Sequence, residues 1–224
     1  RNTRQVAAAY GIELPELGAV SATSSLRGTP GRFQIEHLQA RAETARGLTT
    51  SLSGDISFVR DMNTALLGEL NLDLDLTAPT FGAAAHPLGI SIFSKLGPLQ
   101  AGARIAGTTQ ALRVDDIVVS AGQAHPVKFK VQGRVNRIPL STARRFTGVQ
   151  LSAELAAEST AALATELGMS LPHLGPIQAT FDITDRKGAI GVDHLNVAFG
   201  KPGKETVHVT GTIASVVQVP AVAI

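Results

Sequence analysis

The side chains able to do chemistry in this 224-residue chain stand in three adjacent pairs: Glu36-His37, Asp115-Asp116 and Asp193-His194. A carboxylate beside an imidazole could pass a proton or hold a metal ion. Each pair offers at most two donors, however, and zinc needs three or four that converge. The pairs also lie a whole repeat apart, so spacing does not unite them into one ligand set. We read them as solvated bulges and expect no metal. His86 and His125 each precede a proline and His173 stands just before Leu174-Gly175-Pro176; none has a partner at metal-ligand spacing. The chain has no cysteine, which removes disulfides, thiolate metal sites and thiol nucleophiles. Serine, aspartate and histidine occur without a G-x-S-x-G elbow or another nucleophile motif. Gly200-Lys201-Pro202-Gly203-Lys204 lacks the phosphate-loop spacing and stands between strand-like runs instead of opening a helix. It reads as a hairpin turn with solvated lysines, and Arg144-Arg145 as an exposed loop pair. No catalytic residue and no cofactor is assigned, and an enzyme is not expected.

Composition narrows the classes further. Apolar residues make up 44% of the chain and charged residues 17%, the balance of a folded protein. With eight Phe, one Tyr and no Trp, its core must be aliphatic. A net charge of +2 with scattered Lys and Arg gives no basic stripe for nucleic acid, despite a pI of about 9.2. No apolar run approaches the roughly 18 residues of a membrane span, and no signal peptide is present. The sequence opens on Arg1, so we read it as part of a longer chain.

The elements that position the polar pairs form an internal repeat. Glycines at 18, 97 and 175 follow a leucine in each copy, and each precedes a second glycine, at 54, 133 and 211, by 36 residues. After each anchor comes a run of period two: Val20, Ala22, Ser24 and Leu26; then Leu99, Ala101, Ala103 and Ile105; then Ile177, Ala179, Phe181 and Ile183. One apolar face per run is the mark of a half-buried strand. A second run places Phe33, Ile35, Leu38 and Ala40; then Leu112, Val114, Ile117 and Val119; then Ile190, Val192, Leu195 and Val197. Its alternation slips once, at the doubled polar pair, where a β-bulge would restore the apolar face and bend the strand. A third run holds Leu48 and Leu52; then Val127, Phe129 and Val131; then Val207 and Val209. It passes through the second glycine, a residue that inside a strand often marks a kink. A fourth run holds Leu70, Leu72, Leu74 and Leu76, and again Val149, Leu151, Ala153 and Leu155. Residues 159–168 predict a helix with a Ser cap and a terminal Gly. Residues 1–10 are its counterpart, whereas Gly82 and Pro87 predict a short or failed helix over 80–87.

The repeats then span 1–60, lacking its first strand, 69–138 and 148–216, with no linker long enough to divide the chain. The expected fold is mainly β with short helices. Its strand-helix-three-strand modules would stack into one continuous, curved, largely antiparallel sheet, shaped as a groove.

The recurrent Leu-Pro-x-Leu-Gly-Pro followed by an alternating strand and the slipped run resembles the AsmA-like family of bacterial envelope proteins. The residues that carry it are Leu14-Pro15-Glu16-Leu17-Gly18, Leu171-Pro172-His173-Leu174-Gly175-Pro176 and Ser94-Lys95-Leu96-Gly97-Pro98. This resemblance covers almost the whole chain. It implies a periplasmic segment of a long protein anchored in the inner membrane, whose β groove gives phospholipids an apolar route toward the outer membrane. Phospholipid, through its acyl chains, is the implied partner.

Physical chemistry points the same way. An acyl chain in water loses about 0.8 kcal/mol per methylene, and an apolar trough removes most of that penalty. The lining would comprise Val20, Leu26, Phe33, Ile35, Leu72, Leu74, Leu99, Ile105, Leu112, Val114 and Ile117. Val119, Phe129, Val131, Leu151, Ile177, Phe181, Ile183, Val192, Leu195 and Val197 would complete it. The alternative is that this face packs on helices or on a facing sheet, leaving an envelope scaffold or interaction protein with strand edges free for pairing.

Overall fold

The computed structural model describes residues 19–29, 32–61, 64–85, 93–108, 111–138, 147–186, 189–200 and 207–218. The expected helix over 1–10, the first anchor Gly18, His86, Arg144-Arg145 and residues 201–204 lie outside them.

Eleven strands follow one another: β1 (Ala19–Thr29), β2 (Arg32–Glu43), β3 (Thr49–Asp61), β4 (Thr64–Ala78), β5 (Leu99–Thr108), β6 (Ala111–Ala121), β7 (Val127–Ile138), β8 (Thr147–Ala157), β9 (Ile177–Arg186), β10 (Ala189–Phe199) and β11 (Val207–Gln218). Each pairs antiparallel with its neighbours in sequence, so the sheet is an open, curved meander with β1 and β11 at its edges. Neighbours in sequence pair because a short turn costs the least loop-closure entropy. Among the described residues two helices interrupt the meander, α1 (Phe81–Ala85) after β4 and α2 (Thr160–Leu167) after β8. None among the described residues is long and apolar enough to cross a membrane.

The doubled polar pairs are β-bulges. In β2, Glu36 and His37 stand between Ile35, opposite Ile56, and Leu38, opposite Gly54, where β3 has one residue. Asp115-Asp116 does the same in β6, between Val114 opposite Val135 and Ile117 opposite Gly133. Asp193-His194 repeats it in β10, between Val192 opposite Ile213 and Leu195 opposite Gly211. The second residue of each pair takes a left-handed backbone, with φ of 54° at His37, 51° at Asp116 and 47° at His194. That extra residue returns the following apolar positions to the face they would otherwise have left.

The connections after β4 and β8 close one end of the sheet. In α2 the Ser159 hydroxyl accepts the Ala162 N–H at 3.1 Å, and Gly168 ends the helix at φ 66°. The helix start is tied to the Leu-Gly-Pro anchor: Thr160 N–H donates to the Gly175 carbonyl at 2.9 Å and the Thr160 hydroxyl accepts the Leu174 N–H at 3.0 Å. After β4 the Phe81 N–H likewise donates to the Leu96 carbonyl at 2.5 Å. Both connections therefore fold back over the strand ends. There Leu48, Leu96, Leu99, Val127, Leu163 and Ile177 form one buried cluster with small alanines. Leu96 and Val127 are fully enclosed, each worth roughly 1.5–3 kcal/mol of burial.

Candidate functional site: an open apolar sheet face

Directly opposed residues of an antiparallel ladder project from the same face, and residues alternate between faces along each strand. The observed register therefore gathers the expected lining onto one side. Leu72, Ile105 and Val114 are opposed in succession and continue into Val135 and Val149. Ile117, Gly133, Leu151, Ile183, Val192 and Ile213 form a second row. Leu99, Ala121, Phe129, Leu155, Ala179, Val197 and Val209 form a third. A fourth runs through Ala101, Val119, Val131, Ala153 and Phe181. Val20 faces Ala42, Leu26 faces Ile35, and Phe33 stacks on Phe58 with ring centroids 4.7 Å apart. Leu74 lies between Leu52 and Ala103, Leu112 opposite Ile138, Ile177 between Ala157 and Phe199, and Leu195 opposite Gly211.

Cover divides these residues into groups. Leu99 and Ile177, 4% and 3% exposed, are sealed in the helix-end core, and Val119, Phe129 and Val197 pack on it. The expectation that Leu99 and Ile177 line an open groove is corrected on this point: the folded-back connections cover them. Leu72, Val131, Val149 and Ala153 are buried outside that core, screened by their neighbours on the same face. Such mutual screening is what an apolar face curling inward produces. Ile35, Leu74, Ile105, Leu112, Val114, Ile117, Leu151, Phe181, Ile183, Val192 and Leu195 stay half-buried, while Val20 and Leu26 on the edge strand are exposed. All described strands belong to the single sheet, so among the described residues no second sheet faces this side.

The opposite face is polar and knitted by charge. Arg104 Nε lies 3.0 Å from Asp73 and its Nη1 4.0 Å from Asp116, and Asp73 above all holds the guanidinium above its ordinary pKa. Arg113 pairs with Asp115 at 2.8 Å. The Ser152 hydroxyl donates to Asp182 Oδ1 at 2.6 Å, and His194 Nδ1 meets Asp182 Oδ2 at 2.8 Å. Those two contacts, Ser152 first, keep the Asp182 carboxyl below its ordinary value. Thr184 donates to the buried Asp193 carboxylate at 2.6 Å. The third bulge is thus corrected from a merely solvated turn to a hydrogen-bonded cluster. It is not an activated nucleophile, because hydroxyl and imidazole bond different oxygens of one carboxylate, whereas a triad needs the hydroxyl on the imidazole.

His37 N–H donates to Asp55 at 2.9 Å, and among the described residues no three potential ligands converge on a metal site. A shallow depression of about 450 Å³ on the polar side is lined by Lys128, Lys130, Glu154 and Gln178. Lys130 faces Glu154 there in the β7–β8 register.

Two features escaped the sequence: the sealed end, built by residues without periodicity such as Leu96 and Leu163, and the Ser152–Asp182–His194 contact. The second was accessible only through the β8–β9 and β9–β10 register. Set against known proteins, the chain matches no family model, no curated protein and no solved structure.

Proposed function

We propose that this chain is a segment of an AsmA-like periplasmic protein, tethered to the inner membrane by a part of the protein not included in this sequence. On this proposal its apolar face holds phospholipid acyl chains passing between the inner and outer membranes. The observation that carries it is the apolar face that runs across eleven strands, exposed on the edge strands, half-buried between them and, among the described residues, uncovered beyond one sealed end. Ten inter-strand spacings of about 4.8 Å give it a span of about 48 Å, longer than one lipid. A sixteen-carbon tail exposed to water costs about 12 kcal/mol, and contact along one side removes about half of that. The headgroup needs no pocket, because the face is open and leaves it in water. No chemical step is required of the protein.

Mass spectrometry of an organic extract from the mildly purified chain tests this. Co-purifying phospholipid is the expected result; a lipid-free, folded chain that also fails to take up added phospholipid would rule the proposal out.

A further inference from the structure

The two long sides of the sheet differ in charge. The meander joins β1–β2, β3–β4, β5–β6, β7–β8 and β9–β10 at one side, while α1, α2 and the sealed core occupy the other. On the first side every hairpin brings an arginine within three strand residues of its turn: Arg27 and Arg32, then Arg60, Arg113, Arg137 and Arg186. The acidic residues at these positions are Asp61 and Asp185, and the Asp185 carboxylate already accepts the Val149 N–H at 2.6 Å. The turn residues joining these strands contain no acidic residue. The same positions on the sealed side hold Arg41, Lys128 and Glu43, with no such recurrence. Arginines scattered in the sequence are thus gathered by the topology into a row, with about 9.6 Å from one hairpin to the next. Arg32 and Arg137 are exposed. Arg27 meets Glu36 at 3.2 Å and Arg113 meets Asp115 at 2.8 Å, yet their side chains stay 75% and 62% exposed.

We infer that this arginine row engages the headgroups of lipids whose tails lie on the apolar face, and selects lipids with a net-negative phosphate headgroup. The inference rests on the lipid path proposed above. Folded-back connections close one long side of the face, so a headgroup that stays in water beside bound tails meets protein groups at the other. Guanidinium suits the task, because its fork of N–H donors matches two phosphate oxygens where an ammonium offers a point charge. The described lysines, Lys95, Lys128 and Lys130, all lie nearer the sealed side. At this spacing one headgroup reaches the arginines of a single hairpin, each worth roughly fivefold in affinity beside an anionic charge. The row therefore orders lipids side by side and needs no pocket.

The test titrates the 224-residue chain with fluorescent phosphatidylglycerol and phosphatidylcholine of identical tails, in low and in high salt. Phosphatidylglycerol is expected to bind roughly tenfold tighter in low salt, and the preference to shrink in high salt. A quadruple variant, Arg32→Gln, Arg60→Gln, Arg137→Gln and Arg186→Gln, should lose most of the preference. Arg41→Gln, Arg46→Gln, Lys95→Gln and Lys128→Gln together remove the same charge from exposed positions on the sealed side and should keep it. Equal affinity of the unaltered chain for the two lipids, or equal losses in the two variants, would overturn the row and leave the lipid path standing. Binding of neither lipid would overturn both. Inorganic phosphate should displace phosphatidylglycerol no better than chloride of equal ionic strength; stronger displacement by phosphate would make the row a site for the free anion and overturn its tie to lipid.

Discussion

Ile105→Asp tests whether the apolar face is a lipid path. Ile105 is half-buried between Leu72 and Val114 and lies outside the sealed end. One strand spacing corresponds to roughly four methylenes of a tail lying across the strands. Losing their one-sided cover, about half of 0.8 kcal/mol each, weakens binding by about 1.6 kcal/mol, roughly fifteenfold. Folding loses less, about 1 kcal/mol, because the carboxylate of the lipid-free protein keeps access to water. The assay is a titration with a fluorescent phospholipid, with circular dichroism and a thermal melt verifying the fold. Ile105→Val should bind as the parent does, and so should Gln132→Asp, which puts the same charge on the polar face. A folded Ile105→Asp chain with unchanged affinity would refute the lipid path, and so would equal losses in Ile105→Asp and Gln132→Asp.

Two further outcomes are expected. Leu96→Ala, at a fully enclosed position, should lower stability by about 2–5 kcal/mol in urea denaturation while leaving phospholipid affinity unchanged, since the sealed end lies apart from the open face. Asp182→Asn should destabilise the chain at neutral pH but not in acid. The folded carboxyl is held below its ordinary value, so its contribution is fully present above the unfolded value of about 3.9 and is lost as pH falls through the folded one. Melting temperatures of parent and variant should approach each other as pH falls below the ordinary aspartate value of about 3.9, and a gap independent of pH would contradict the assignment.

Much of the fold was legible because its signals are local. Alternation in Leu70-Asn71-Leu72-Asp73-Leu74 can satisfy only a two-residue period, and the slip at Asp193-His194 has one economical solution, an extra residue in the strand. The cap at Ser159 and the stop at Gly168 also depend on a few neighbouring atoms. The lining residues shared a face once those periods were set, since register follows from the turns and the pattern together. The sealed end was not legible. Leu96 and Leu163 belong to no periodic run, and whether they fold over the sheet or away from it depends on Thr160 and Phe81 finding the anchor backbone.

The sequence by itself determined the repeat, the strands, the bulges and the identity of the apolar face, because side-chain alternation and backbone sterics act within a few residues. Tertiary structure decided which part of that face is covered and which polar groups meet across strands. Those properties belong to pairs of residues far apart in sequence. Asp182 illustrates the difference: its place in the repeat can be counted along the chain, but Ser152 and His194 reach its carboxylate only once β8, β9 and β10 are side by side.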